Sequence, residues 1–257
     1  MSDDGRPELE TIMKLFATHS QTIAPHTELL AQSGAGLLDE RGRPPNSWAV
    51  VRRGYSVLVD APFVWVLDSI ALLADGERPP WALVLTGAAV AASCDAMGDV
   101  AEGYAVPVCL SSVAARDPGA HKMAVFEGVT YVDPACGGFL ERAGLRVLPA
   151  DTCEPGTIML WHEAERALLA GDAARGEPSG SGEAGRLSRP ATDDGERDEA
   201  CRSWWRRTIE TLRPDAILPL RGLPAARRRD GEQAYRRHLA NLWDGQADPV
   251  PFPQGAP

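Results

Sequence analysis

The chain has 257 residues, with 26 basic against 36 acidic side chains for a formal net charge of −10, and it is 44% apolar and 24% charged. That length and apolar share suffice for one globular domain with a buried core and exclude overall disorder. The acidic balance opposes general attraction to phosphate backbones, so no nucleic-acid partner is expected.

The longest apolar run, Ala82 to Ser93, is interrupted by Thr86 and Gly87 and is too short to cross a bilayer. Met1-Ser2-Asp3-Asp4 lacks the basic start and apolar stretch of a secretory signal, so no membrane association and a cytoplasmic location are expected. The five cysteines Cys94, Cys109, Cys136, Cys153 and Cys201 are scattered with no C-x-x-C spacing, which predicts reduced packing thiols rather than a disulfide framework or zinc knuckle.

In chain order, residues 1–45 read as an N-terminal extension packed on the domain, with one helix at Glu8–Thr18 and a looser stretch up to Pro44-Pro45. Two β-rich runs, Ser47–Arg52 and Tyr55–Asp60, predict a hairpin through Arg53-Gly54, and Phe63–Ala74 has helical spacing. Strand and helix signals then alternate: Ala82–Thr86 strand, Asp95–Tyr104 helix, Val106–Ser111 strand. Such alternation predicts an α/β arrangement. Met123–Val132 reads as strand, a short helical piece falls near Phe139, and Leu145–Leu148 is strand again.

A second hairpin, Thr157–Trp161 with Ala167–Ala170, precedes a Gly, Ser, Pro and acid-rich stretch over 176–199 that predicts a mobile surface loop. Helix returns at Asp198–Leu212, followed by a strand at Ala216–Leu220 and helix within Ala225–Trp243. The main domain thus spans 46–245, and 246–257 is a flexible tail. Arg227-Arg228-Arg229 and Arg236-Arg237, interspersed with Asp230 and Glu232, read as a solvated helix face. Of Trp204-Trp205, one is expected in the core and the other over an apolar edge; an apolar patch around the second would make a homo-oligomer or partner contact.

Several short motifs follow one another in a meaningful order. Val57-Leu58-Val59-Asp60-Ala61-Pro62 is an apolar strand ending in Asp, and Leu83-Val84-Leu85-Thr86 is a strand ending in Leu-Thr. Leu148-Pro149-Ala150-Asp151-Thr152 runs toward the turn Gly156-Thr157. Leu168-Leu169-Ala170-Gly171-Asp172 ends in Gly-Asp, and Pro214 to Gly222 is a late strand ending in Leu220-Arg221-Gly222. Together they resemble the metallo-β-lactamase-fold superfamily from about Asn46 to Gly222. The resemblance implies a four-layer αββα sandwich with its active site where loops leave the strand ends. Members place His-x-His-x-Asp-His after the Leu-Thr strand.

By that resemblance the ligand positions here are Gly87, Ala89, Ala91, Ala92, Asp151, Asp172 and Arg221. A catalytic zinc needs three ligands from His, Cys or carboxylate; hydrogens and methyl groups supply none, and a guanidinium repels a divalent ion. No cofactor is therefore expected, and Arg221 is expected to take over the metal's electrostatic role by pairing with Asp172 and Asp151. His19, His26, His121, His162 and His238 all lie away from these positions. A relocated metal would have to draw on Cys94, Asp95, Asp151, Cys153 and Asp172, with no histidine among them. As a nucleophile Cys153 is disfavoured by its acidic neighbours, and Ser111-Ser112 read as a helix cap.

The function expected on these grounds is a noncatalytic, degenerate member of the superfamily that binds an unidentified small molecule or protein partner. The alternative is a hydrolase of an ester, thioester or lactone that uses relocated metal ligands.

Overall fold

The computed structural model describes residues 21–24, 27–31, 45–52, 54–61, 63, 66–93, 96–116, 131–132, 138, 140–176, 187–190 and 194–244. The helix expected at Glu8–Thr18, most of the strand expected at Met123–Val132, Cys94, Asp95, Cys136 and the tail lie outside these residues.

Two sheets face each other. The first has seven strands in chain order: β1 (Gln21–Ala24), β2 (Thr27–Ala31), β3 (Ser47–Arg52), β4 (Tyr55–Val59), β5 (Pro80–Val84), β6 (Val108–Cys109) and β7 (Tyr131–Val132). Pairing is antiparallel from β1 to β4 and parallel from β4 to β7. The second comprises β8 (Leu145–Pro149), β9 (Ile158–His162), β10 (Ala167–Gly176), β11 (Leu187–Ser188), β12 (Ala216–Arg221) and β13 (Ala225–Ala226). Its order is β13-β12-β10-β9-β8, with β11 added to β10, and β10 runs parallel to β12.

The helices are α1 (Leu67–Asp75), α2 (Ala88–Ser93), α3 (Met97–Gly103), α4 (Gly195–Leu212), α5 (Arg227–Asp230) and α6 (Glu232–Ala240). Among the described residues no helix is long and apolar enough to cross a membrane.

The layering follows from the two-residue period of a strand, which sends successive side chains to opposite faces. Trp48, Val50, Val57, Val59 and Val84 of the first sheet meet Ile158, Leu160, Leu169 and Leu218 of the second in the central core. Their neighbours Ala49, Leu58 and Leu83 point outward onto Ile70 and Leu73 of α1 and onto Met97 and Val100 of α3. On the far side Met159, Trp161, Leu168 and Ile217 pack against Cys201, Trp205 and Ile209 of α4 and Tyr235 and Leu239 of α6. The central strands β3 to β5, β9, β10 and β12 are buried on both faces, which is why they read as nearly unbroken apolar runs. The result is the expected α/β architecture of four layers, αββα.

Three expectations need correction. Residues 21–31, expected as a loose stretch, form β1 and β2 and extend the first sheet through β3. The stretch 176–199 is not loop throughout. β11 pairs with β10, Leu187 is buried, and Arg189, 0% exposed, grips Asp198 through Nε at 2.9 Å and Nη2 at 3.1 Å. Helix α4 then begins within that stretch, capped by the Asp194 carboxylate on the Glu196 amide at 2.9 Å.

The cysteines supply the third. Cys153 and Cys201 form a disulfide that ties the β8–β9 loop to α4, while Cys109 is free and buried. They are 48 residues apart in sequence, so spacing carried no hint of the pairing. Arg197 reinforces the same junction by donating to the Cys153 carbonyl at 3.1 Å. Thiol titration of the denatured protein is expected to find at least two fewer reactive thiols before reduction than after it. Cys153→Ser is expected to cost about 2–4 kcal/mol in urea unfolding under oxidising conditions and nothing further under reducing ones.

Candidate functional site

The site expected from the sequence lies where β4, β5, β10 and β12 end, and its organising side chain is Thr86. Asp60, just past β4, is 1% exposed and adopts φ 50°, an uncommon conformation for a residue with a side chain. That turn aims its carboxylate at Thr86: Oδ1 accepts from the Thr86 amide and Oδ2 from the Thr86 hydroxyl, both at 2.8 Å. The Thr86 carbonyl in turn accepts from the amide of Ile158 in the second sheet at 2.8 Å.

Gly171 completes the contact. It sits at φ 53°, and a β-carbon there would lie 2.2 Å from Thr86 Oγ1, so a glycine is required by both conformation and space. From Gly171 to Arg175 the ladder to β12 is bulged: Gly171 pairs with Pro219 and Arg175 with Arg221, four steps of β10 against two of β12. Bulges of this kind re-aim side chains beside functional sites.

Asp172 lies in this bulge. It is 2% exposed, and among the described residues neither of its oxygens has a hydrogen-bond partner. Burial pushes its carboxyl up to about 8; the charge of Glu154 pushes the same way, Arg175 and then Arg221 pull it down, and Asp60 adds a smaller upward effect. The Asp60 carboxyl is itself raised to about 7 by burial, against the lowering effect of its bonds to Thr86. Arg175 and Arg221 are 3% and 4% exposed, so two buried cations and two buried acids influence one another here, with the half-buried Glu154 adding its charge.

The expected positions fall out as follows. Arg221 is buried at the end of β12 and acts on Asp172 through its charge, not through a hydrogen bond to it. Asp151, expected beside Arg221, is exposed, and its Oδ1 accepts from the Gly156 amide of its own loop at 2.8 Å, as suits a carboxylate at a tight turn. Gly87 lies at the β5 end, where a β-carbon would meet Thr157 Oγ1 at 3.3 Å. Ala89, Ala91 and Ala92 belong to α2, a short helix where a loop was expected, and Ala91 is buried in the outer core. Cys153, bridged to Cys201, offers no thiolate to a metal.

Thr86 and Asp60 went unrecognised as site residues although both were quoted in the strand motifs, and Glu154 and Arg175 were missed altogether. An arginine three residues after Gly-Asp, in a strand buried along its whole length, is the signal that could have pointed to Arg175.

The architecture and the position of this cleft define a class of two-sheet sandwich that is known from solved structures. A metallo-β-lactamase from Pontibacter korlensis superposes with a TM-score of 0.61 at 15% identity, over 88% of this chain and 99% of that one. The DIM-1 metallo-β-lactamase gives 0.61 at 13%, over 88% and 96%. The flavodiiron protein of Giardia intestinalis gives 0.58 at 13%, over 88% of this chain and 58% of that one. The sequence matches no family model and no curated protein. This chain has the metallo-β-lactamase fold.

Among the described residues no three His, Cys, Asp or Glu side chains are grouped to hold a metal ion, and the buried Asp172 carboxyl feels the charges of two arginines, which oppose a further cation.

Because the folded-state pKa values of Asp172 and Asp60 lie above the unfolded value, the folded protein holds more protons between about pH 4 and 8. The corresponding stability is full below about pH 4 and is lost as pH rises through about 8. Asp172→Asn is expected to flatten this slope in urea titrations and to exceed the parent at pH 9 by at least about 1 kcal/mol. A less stable variant at pH 9 would mean that the arginines outweigh burial. Gly171→Ala is expected to cost about 2–4 kcal/mol, from the left-handed conformation and the collision with Thr86 together.

Proposed function

We propose that this protein no longer carries metal at the place its fold usually provides, and that it works as a binding protein whose cleft recognises a small molecule or a segment of a protein partner. The observation that carries this reading is Asp172: a buried carboxyl without a hydrogen-bond partner among the described residues, under the charges of the buried Arg175 and Arg221. Buried polar groups are nearly always satisfied, so an unmet one at a strand-end cleft marks a place for a ligand atom. Below about pH 8 the protonated carboxyl donates a hydrogen bond, and above it the carboxylate only accepts.

The hydrolase alternative would act on an ester, thioester or lactone with metal held by relocated ligands. Of the five residues it could use, Cys153 is consumed in a disulfide and Asp151 in its own turn, which leaves Asp172 with Cys94 and Asp95. No observation favours it. The cytoplasmic location expected from the signal-poor start agrees with Cys153 and Cys201 found reduced in cells; a persistent bridge assigns an oxidising compartment.

Elemental analysis of protein purified without chelator decides the main question. Substoichiometric zinc, iron and manganese are expected, together with turnover of p-nitrophenyl acetate, a thioester and a lactone that neither added metal nor chelator alters. Stoichiometric metal, with hydrolysis that disappears on chelation, would replace this reading with the alternative.

A further inference from the structure

We propose a second, independent binding site at the opposite end of β10 from Asp172, built to take a small aromatic phosphate such as a nucleoside monophosphate. It is a cavity of about 680 Å³, bounded by the turn before β10, the C-terminal end of α4 and the two helices that follow β13. That volume falls in the range of sites that enclose a small organic ligand.

Four arginines line it: Arg166, Arg213, Arg227 and Arg236. Two acids hold three of them in place. Asp215 pairs with Arg166 Nε at 3.1 Å and with Arg227 Nε at 3.1 Å, and Glu232 pairs with Arg227 Nε at 3.4 Å and Arg236 Nε at 2.5 Å. Among the described residues the Arg213 side chain has no such partner, so the four guanidinium groups outnumber Asp215, Glu232 and Asp230, the third acid whose charge reaches this cluster, and a positive surplus remains. A phosphate monoester near neutral pH carries a charge of about −1.5 to −2, opposite in sign to that surplus. Arginine's planar fork suits phosphate oxygens better than any other cation in a protein.

The backbone around the arginines is fixed by the fold. Arg213 ends α4 at φ 50°, with its amide on the Ile209 carbonyl at 2.8 Å, and its own carbonyl accepts from the Arg166 guanidinium. The Asp215 amide bonds the Arg166 carbonyl at 2.7 Å, and the Arg227 amide bonds the Asp215 carbonyl at 2.8 Å. Arg227 also lies 5.4 Å from the ring centroid of Tyr235, a cation–π contact, and the Tyr235 hydroxyl donates to the Pro214 carbonyl at 2.8 Å. The cationic groups are therefore mounted on an ordered frame before any ligand arrives.

The remaining wall is apolar. Ile209, Leu239 and the half-buried ring of Trp243 line the same cavity, so the ligand has an apolar or aromatic body as well as an anionic head. A planar base stacked on an indole supplies that body, and such stacking is worth about 1–3 kcal/mol. In a chain whose net charge is −10, a pocket with this local surplus is a selective place for a small anion rather than for a long polyanion, which the rest of the surface repels.

Isothermal titration calorimetry with AMP, adenosine and inorganic phosphate as separate probes tests the proposal. Saturable binding of AMP is expected, at least about tenfold tighter than either fragment. Arg213→Asn with Arg236→Glu is expected to weaken AMP by at least about tenfold, and Trp243→Leu by about fivefold or more. Asn tolerates the left-handed backbone at 213 and Arg236 is 76% exposed, so both changes spare the fold. Arg146→Glu, an exposed charge reversal in β8 outside this cavity, is expected to leave the affinity unchanged. Circular dichroism of each variant confirms folding. Absence of saturable heat with AMP, equal affinity for AMP and inorganic phosphate, or equal loss in the Arg146→Glu control would each overturn the assignment. Because the site shares no residue with the Asp172 cleft, the result is independent of the metal analysis.

Discussion

One side chain joins the two halves of the sandwich at its functional end. Thr86 offers its amide and hydroxyl to Asp60 in its own sheet and its carbonyl to Ile158 in the other, while Gly171 leaves the space into which its side chain fits. Each partner accepts a conformational cost for this. Asp60 adopts a left-handed backbone and loses nearly all its water, and Gly171 gives up a side chain inside a strand. Such costs persist where the surroundings over-determine the geometry. Here the Ser47 hydroxyl on the Asp60 carbonyl at 2.7 Å and the Asp60 amide on the Val84 carbonyl at 2.9 Å supply that constraint.

The joint fixes where Asp172 must go. Once Gly171 is pressed against Thr86, β10 bulges, and the next side chain falls between the strand ends with no backbone donor in reach. In a dry space a carboxylate needs either a cation bonded to it or a proton of its own. Arg175 and Arg221 are buried nearby and pull toward ionisation, yet burial and the adjacent Glu154 push harder the other way. Two cations that make no hydrogen bond to it do not outweigh burial, and the carboxyl is accordingly left poised near neutrality instead of firmly ionised. The charge of Asp172 is thus incompletely balanced by its surroundings, and an unmet buried carboxyl gives the cleft a reason to hold a ligand.

The layered core was legible because its cause is local. Alternation along Trp48-Ala49-Val50-Val51 or Ile158-Met159-Leu160-Trp161 assigns each residue to a face without knowledge of the partner strand. The strand ends were legible for a different reason: Asp60, Thr86 and Gly171-Asp172 stand in short motifs whose order matches a known scaffold. What stayed hidden depends on distant partners. Cys153 finds Cys201 only once α4 lies against the β8–β9 loop, and Arg189 is buried only because Asp198 waits one helical turn into α4. The bulge that brings Arg175 opposite Arg221 is a property of strand pairing, and composition gives no sign of it. Residues 27–31 illustrate the same limit: Thr27-Glu28-Leu29-Leu30-Ala31 has no clean alternation, and its strand character comes from the hydrogen bonds of β3.

The scaffold's structural demands and its chemical demands are therefore separable. Thr86, Asp60 and Gly171 hold the sheets together through hydrogen bonds and close packing that involve no ion. At the β5 end, where a β-carbon on Gly87 would crowd Thr157 and where Ala91 joins the outer core, the packing likewise draws on no ion. A fold whose stability does not pass through its metal can lose the metal without a folding penalty, in contrast to small domains that unfold when their ion is removed. Gly171-Asp172 is tied to the sheet joint by Gly171, so the buried carboxyl takes its position from the same contact that holds the sheets. That coupling explains why the residue next to the joint is buried without a hydrogen-bond partner among the described residues.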